Sequence, residues 1–196
     1  MKTDIEFEAK FYPIDKNLIR SKLKQIGATL TKPERMMRAQ VFNKELNQNI
    51  KCDYIRVRDE GDKVTLSAKS HAKEGGNLSD QKEVGIEVSD FVLAVEILSR
   101  AGLIPGDYQE NYRETWKLGS AEIVIDTRPS LEPYIEIEAN SEAQVKTVAE
   151  KLGLSWDQKI ITSVIEIYAS KYNLTREEAH QKIRYSTFEK PPFEQN

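Results

Sequence analysis

The stretch YIRVRDEGDKVTLSAKS, residues 54–70, contains two runs of alternating apolar and polar residues joined by a glycine turn. In the first run Arg56 and Arg58 fall on one face of a strand, and aliphatic residues fall on the other. Gly61 lies between the runs within DEGDK, a sequence typical of a tight hairpin turn. The stretch therefore predicts an antiparallel hairpin with one charged face and one apolar face.

The same alternation continues on both sides of the hairpin. It predicts strands at 4–11, 35–44, 52–60, 62–70, 81–88, 109–118, 120–128 and 132–140. Apolar residues at helical spacing, with caps and glycine stops, predict helices from Asp15 to Gly27, from Ser89 or Asp90 to Gly102, and at 141–152, 157–173 and 175–183. The order strand, helix, three strands occurs twice, over about 1–70 and 80–140. The ending FEKPPFEQN, residues 188–196, is predicted to be poorly ordered.

Composition excludes several classes of protein. The chain has 196 residues and a formal net charge of −3, which argues against nucleic-acid binding driven by bulk positive charge. Cys52 is the only cysteine, so neither a disulfide framework nor a thiolate zinc site is expected. The sequence has neither a membrane-spanning apolar run nor a signal-peptide pattern. We therefore expect a cytoplasmic monomer or homodimer that acts on a small molecule, without a nucleic-acid or membrane partner.

The charged strand faces allow two interpretations. Seven of the eight predicted strands carry one apolar and one charged face, which is common in an antiparallel sheet with one side in water. The amphipathic helices, however, need an apolar surface, and eight antiparallel strands can remove their edges by closing into a barrel. The charged faces would then line a wet interior. We predict an α+β fold in which an eight-stranded antiparallel barrel carries helices on its outside and at its C-terminus.

Four segments together resemble one family. They are EFEAK (6–10), the hairpin 54–70, NYRETWKL (111–118) and EIVIDTRPSLEPYIEIE (122–138). Their order resembles that of the CYTH superfamily, the triphosphate tunnel enzymes that include class IV adenylyl cyclases, thiamine triphosphatases and inorganic tripolyphosphatases. The resemblance covers roughly residues 3–170. It implies a tunnel domain over 1–170, followed by a helical turn and tail over 171–196.

The resemblance also implies a site. Its side chains would bind a triphosphate end-on, together with Mg²⁺ or Mn²⁺, ions that prefer carboxylate oxygens. By matching position, the metal ligands would be Glu6, Glu8, Glu136 and Glu138, and the phosphate ligands Lys10, Arg56, Arg58, Lys69 and Arg113. Lys10, Glu8 and Asp126 would be catalytic, and Glu87 is a possible further member.

One segment departs from the family pattern. In EVGIE, residues 83–87, Glu83 stands where an arginine is common and Gly85 where the first glutamate is common. The expected function is therefore metal-dependent triphosphate hydrolysis, with two alternatives left open. These are a class IV adenylyl cyclase and a non-catalytic polyphosphate- or nucleotide-binding module.

Other polar and aromatic residues have simpler interpretations. Lys63 is expected to be solvated beside the hairpin turn, and Glu122 to lie on the rim. Trp116 is expected to pack in the core. His180 falls on a C-terminal helix, where the sequence indicates no partner for it.

Overall fold

The computed structural model describes residues 7–70 and 82–193. Within them the chain forms nine strands, namely β1 (Phe7–Phe11), β2 (Thr29–Asn43), β3 (Tyr54–Asp59), β4 (Val64–Ser70), β5 (Lys82–Val88), β6 (Tyr108–Leu118), β7 (Ala121–Thr127), β8 (Tyr134–Ala139) and β9 (Tyr185–Ser186). The α-helices are α1 (Lys16–Gln25), α2 (Phe91–Arg100), α3 (Glu142–Lys151), α4 (Val164–Tyr172) and α5 (Arg176–Ile183). The fold is therefore α+β, as predicted.

All nine strands belong to one sheet. Its order is β1-β8-β7-β6-β2-β3-β4-β5, and neighbours along this path are antiparallel. The short β9 pairs with β6 in the parallel direction. The predicted repeat of strand, helix and three strands is confirmed, with β1 and β5 opening the two halves. Each half gives its first strand to the other half, because β1 lies beside β8 and β5 lies beside β4.

The prediction of a closed barrel is wrong. Within residues 7–70 and 82–193 the sheet ends at β1 and β5, and no pairing joins these two strands. The outer edge of β1 is instead occupied by Ile160. The amide of Lys10 donates to the Ile160 carbonyl at 2.8 Å, and the amide of Ile160 donates to the Lys10 carbonyl at 2.9 Å. A connecting segment thus satisfies an edge that the sequence argument assigned to barrel closure.

Helices α1, α2 and α3 cover the apolar face of the sheet, as expected from their amphipathic sequences, whereas α4 and α5 pack around Tyr134. Ile19 and Leu23 of α1 pack with Val145 and Ala149 of α3. Beneath them lie the buried strand residues Trp116, Ile123, Ile125, Ile135 and Ile137. Each such side chain contributes roughly 1.5–3 kcal/mol when fully buried. The helices therefore fix one face of the sheet and leave the charged face on the opposite side.

The predicted helix at 157–173 begins later than expected. A 3₁₀ turn spans Trp156–Gln158, and α4 begins at Val164 after a Ser163 cap that accepts a hydrogen bond from the Ile165 amide. The intervening backbone is extended where Ile160 pairs with β1. As a result Ile161, which lies within the predicted helix range, is 73% exposed. No helix in the described part of the chain is both long and apolar enough to cross a lipid bilayer.

The prediction of a poorly ordered ending is wrong for residues 188–193. The ring of Phe193 stacks on Tyr172 with centroids 3.7 Å apart. Its amide donates to Ser130 Oγ at 3.2 Å, and its carbonyl accepts from the same hydroxyl at 2.8 Å. Phe188 packs on Tyr112 with centroids 4.8 Å apart. Aromatic contacts thus attach a segment whose Pro and Glu content resembles a disordered tail.

His180 also has a partner that its sequence position did not indicate. Its Nε2 lies 3.0 Å from Asp107 Oδ2, and Arg184 Nε donates to Asp107 Oδ1 at 3.2 Å. Asp107 is buried at the start of β6, so this contact joins α5 to the sheet. No local pattern indicates this contact, because His180 and Asp107 are far apart along the chain.

Replacing Phe193 with alanine is expected to lower the free energy of unfolding by about 1–3 kcal/mol, since the stacked ring and its buried area are lost. Urea denaturation followed by circular dichroism measures this change. Glu189→Ala is the matched control, because Glu189 lies in the same segment and is exposed. An unchanged midpoint for Phe193→Ala would show that the C-terminal segment adds no stability.

Candidate functional site

The register of the strands places most of the predicted site residues on one face of the sheet. Glu8 lies opposite Glu138 and Lys10 opposite Glu136, while Arg113 lies opposite Asp126. On the other half of the sheet, the same face carries Arg56, Arg58 and Lys69. Glu6 lies outside the described residues. We call this side, opposite α1, α2 and α3, the charged face.

Lys10 joins two carboxylates at one end of the charged face. Its ammonium contacts Glu8 and lies 3.4 Å from Glu136 Oε2. Burial alone would lower the pKa of Lys10, but the charges of Glu136 and Glu8 outweigh burial and raise it. Burial and the charge of Glu8 raise the pKa of Glu136, against the opposing effects of Arg113 and Lys10. Lys10 is therefore a fixed cation between two anions.

Asp126 lies at the centre of the face and is completely buried. Arg113 donates to it twice, from Nε at 2.8 Å and from Nη2 at 2.5 Å, and Asn111 Nδ2 donates at 2.9 Å. Burial opposes ionisation of Asp126, but Arg113 and Arg128 outweigh it and hold the pKa of this carboxyl below its usual range. These contacts orient the Arg113 guanidinium, which also lies 4.0 Å from Glu136.

Arg58 lies among like charges. Burial lowers the pKa of its guanidinium, and the neighbouring Arg56, Arg113 and Arg128 lower it further, to about 9. Asp126 opposes this effect only partly. Such an accumulation of enclosed positive charge is unfavourable in an empty protein and favourable when an anion binds. Guanidinium groups also match phosphate oxygens in geometry, because they can donate two parallel hydrogen bonds.

Arg128 belongs to this cluster although the sequence analysis did not select it. Its Nε donates to the Tyr134 hydroxyl and its Nη1 to Gln109 Oε1, both at 3.1 Å. Gln109 lies opposite Ala39, which lies opposite Arg58, so Arg128 and Arg58 approach the same position of the face from two sides. The signal was present in the sequence. Two residues beyond Asp126, Arg128 has the same parity in the predicted strand 120–128.

The acidic end of the charged face is the candidate metal site. Glu8 and Glu138 lie directly opposite each other, and like charges at such positions repel unless a cation or a hydrogen bond compensates. The donor type fits Mg²⁺ or Mn²⁺, which prefer carboxylate oxygens. Within residues 7–70 and 82–193, no three acidic, histidine or cysteine side chains converge closely enough to hold an ion. Glu8 and Glu138 therefore match a hard divalent ion in donor type only.

Three charged residues lie at the margin of the charged face, away from Asp126 and the arginine cluster. Glu87 is exposed and forms a salt bridge of 3.3 Å with Lys63, whose solvated position is confirmed. Lys69 lies on the charged face opposite Tyr54, at the end of β4. Glu122 is exposed opposite Glu138, as predicted for a rim residue.

Trp116 is 2% exposed and belongs to the core, so the packing role predicted for it is confirmed. Its indole N–H donates to Glu114 Oε1 at 2.5 Å. Glu114 also accepts from Arg20 of α1, at 2.7 and 2.9 Å. This buried carboxylate ties α1 to β6 on the side opposite the charged face.

A cavity of about 420 Å³ lies elsewhere, beside α5. Its lining consists of Glu45, Arg176, Glu177, His180, Gln181 and Arg184. None of the residues predicted for the site contributes to it. The size of this cavity therefore does not locate the guanidinium cluster, which lies on the charged face.

Comparison with known proteins identifies the family. A family model described as the CYTH domain matches residues 4–164. The chain belongs to the CYTH family. No curated protein matches it in sequence.

Solved structures show the same fold. A conserved hypothetical protein from Pyrococcus furiosus has a TM-score of 0.65 at 21% identity, with 82% of this chain and 98% of that chain covered. A candidate adenylate cyclase from Vibrio parahaemolyticus has a TM-score of 0.68 at 14% identity, covering 85% and 98%. A candidate adenylyl cyclase from Hippeastrum with a dominant triphosphatase activity has a TM-score of 0.56 at 12% identity, covering 87% and 96%. At these identities the similarity shows the fold alone.

Proposed function

We propose that the protein binds a triphosphate on the charged face and hydrolyses it in the presence of Mg²⁺ or Mn²⁺. The observation that carries this proposal is the cluster of Arg56, Arg58, Arg113 and Arg128, in which the pKa of Arg58 falls to about 9. Four cations approximately balance the roughly four negative charges of a triphosphate at neutral pH. Membership of the CYTH family, whose members are triphosphatases or adenylyl cyclases, supports the same chemistry.

Each group has a distinct part in this proposal. Arg56 and Arg58 bind phosphate oxygens, and Lys69 extends the cationic row towards the end of β4. Arg113 binds through the part of its guanidinium that Asp126 does not engage. Asp126 is assigned the role of a positioning residue, because both of its oxygens accept hydrogen bonds from Arg113. The catalytic role that the sequence suggested for it is thereby replaced in the proposal.

The acidic end would serve the reacting phosphate. Glu8, Glu136 and Glu138, together with Glu6, are the residues that would hold a divalent ion. When bound, the ion neutralises charge on the transferred phosphoryl group and favours attack by water. Lys10 lies between Glu8 and Glu136 and would place one ammonium charge next to the same phosphate. Water forms a bond to the terminal phosphorus, the bridging P–O bond breaks, and orthophosphate and a diphosphate leave.

The proposed domain comprises residues 1–170, and α5 with the C-terminal segment supports it from outside. The glycine at position 85 departs from the family pattern without leaving a crowded backbone. Gly85 lies opposite Ser67, and a methyl group at position 85 would make ordinary contacts, 3.4 Å from Ser67 Cβ. The glycine is therefore not required by crowding. In sequence, β5 has as many carboxylates as the family pattern, at Glu83 and Glu87, but lacks its arginine.

A product-resolved assay tests the function. Tripolyphosphate, thiamine triphosphate and ATP are incubated with Mg²⁺ or Mn²⁺ at neutral and alkaline pH, and products are followed by ³¹P NMR and mass spectrometry. Orthophosphate with a diphosphate product is expected, at a rate lowered about 100-fold or more in Glu8→Gln. Glu150→Gln, an exposed change on α3, should retain the wild-type rate.

Two other outcomes of this assay would contradict hydrolysis. Cyclic AMP with pyrophosphate would assign the protein to the cyclases. Tight tripolyphosphate binding without turnover under either ion would assign it to non-catalytic phosphate-binding modules.

A further inference from the structure

One surface on the helix side of the sheet is apolar but uncovered. Val84 and Ile86 of β5 and Val92, Leu93 and Ile97 of α2 are each 60–66% exposed. We call these five residues the α2–β5 face. A groove of about 280 Å³ lies along it, lined by the same β5 residues together with Ile55, Leu66, Ala68 and Leu98.

The α2 sequence explains the exposure. Phe91, Ala94, Val95 and Leu98 already pack on the sheet and satisfy the inner side of the helix. The outer side of FVLAVEILSR would normally be polar in a surface helix, but it carries three large aliphatic residues and one ion pair. A second apolar stripe on a helix indicates a second packing partner.

The adjoining strand points to the same conclusion. β5 is the last strand of the sheet, and in residues 7–70 and 82–193 it pairs only with β4. The opposite edge, at β1, is occupied by Ile160, whereas the β5 edge has no such segment in the described part of the chain. Edge strands are usually shortened, charged or covered, because an open edge invites pairing with another chain.

We propose that the α2–β5 face is the interface of a homodimer, in which two copies pack α2 against α2 about a two-fold axis. Five half-exposed aliphatic side chains present on the order of 500 Å² of apolar surface. A standard interface buries about 800 Å² on each partner, and homodimer interfaces are roughly 65% apolar. The face therefore supplies about the apolar area that one side of a stable dimer needs.

The charges on α2 favour a second copy over a different partner. Glu96 and Arg100 form an ion pair of 2.7 Å between successive turns of the exposed side. When two α2 helices cross in antiparallel directions near Ile97, Glu96 of each copy faces Arg100 of the other. A surface that carries both members of its own complementary pair fits the self-complementary geometry of two-fold symmetry.

Sedimentation equilibrium and light scattering of the full chain test this interface. The wild type is expected to have twice the chain mass at micromolar concentration. Leu93→Glu with Ile97→Glu should weaken self-association by about 100-fold or more, since buried carboxylates replace the central aliphatic contacts. Leu18→Glu and Ile161→Glu are matched controls, because both positions are exposed aliphatic residues outside the face. Circular dichroism confirms that the variants fold.

Exchanging the charges of Glu96 and Arg100 gives a second, independent test of the dimer interface. Glu96→Arg should weaken the dimer, because Arg100 of the other copy would then face an arginine. Combining it with Arg100→Glu restores complementary pairs and should restore the dimer. The proposal is overturned by a monomeric wild type, by an unaffected double glutamate variant, or by equal loss in the two control variants.

Discussion

Replacing Arg58 with methionine is expected to lower kcat/KM for tripolyphosphate by about 100- to 1000-fold while leaving the protein at least as stable as the wild type. Methionine keeps most of the apolar stem and removes the charge. In the folded protein burial, together with the charges of Arg56, Arg113 and Arg128, lowers the pKa of Arg58 to about 9, so its charge is unfavourable at neutral pH. Removing it relieves that repulsion and removes a phosphate ligand at the same time.

Steady-state kinetics and urea denaturation of the same preparation separate the two effects. The free energy of unfolding should be unchanged or raised by about 1 kcal/mol. Arg38→Met is the matched control, since Arg38 lies on the other face of the sheet and forms a half-exposed ion pair of 3.1 Å with Asp59. It should keep its kcat/KM within about twofold. Loss of stability in Arg58→Met with full turnover would make the cluster structural and leave the proposed site without its main support.

Removing the Arg113 side chain is expected to have the largest effect on stability. Arg113→Met leaves Asp126 buried and charged without its two main hydrogen bonds, which costs about 3–5 kcal/mol. Adding Asp126→Asn removes the buried charge, so the double variant should recover part of the loss. Urea denaturation of both single variants, the double variant and the wild type measures the coupling between the two residues. Strict additivity would show that the pair does not act as a unit.

In Arg113→Met the pH dependence of the free energy of unfolding is expected to change sign. In the wild type the pKa of Asp126 lies below its unfolded value of about 3.9, so its contribution is present near neutral pH and is lost as pH falls through the lowered pKa. Without Arg113, less positive charge opposes the effect of burial, so the pKa of Asp126 is expected to rise above its value in the unfolded chain. The folded state then binds more protons than the unfolded state, so Arg113→Met should gain stability as pH falls from 7 to 5. Unfolding curves at several pH values give the slope directly.

Local patterns predicted much of the fold and of the charged face. Two-residue periodicity was enough to place Arg56 and Arg58 together, because a strand alternates its faces whatever its neighbours are. The glycine turn KLGSA, residues 117–121, likewise joins β6 to β7 in a register that places Arg113 opposite Asp126. Arg128 has the same strand parity as Asp126, so the alternation also placed it on the charged face. These features depend on residues close in sequence, where geometry is set by the backbone alone.

Contacts between distant segments could not be predicted in this way. Lys10 meets Glu136 because β1 pairs with β8, and Ile160 occupies the β1 edge because α4 begins late. Neither follows from periodicity, since the number of strands does not determine whether a sheet closes. The packing of Phe193 on Tyr172 was not predicted for a similar reason. A Pro-rich ending reads as poorly ordered, but it can still supply one well-packed ring.

The exchange of first strands between the two halves has a consequence during synthesis on the ribosome. β1 carries Glu8 and Lys10, and among the described strands it pairs only with β8, which ends at Ala139. During synthesis β1 therefore remains unpaired with β8 until more than half of the polypeptide has emerged from the ribosome. Such non-local pairing slows folding, and a nascent or truncated chain lacks the carboxylate end of the phosphate site.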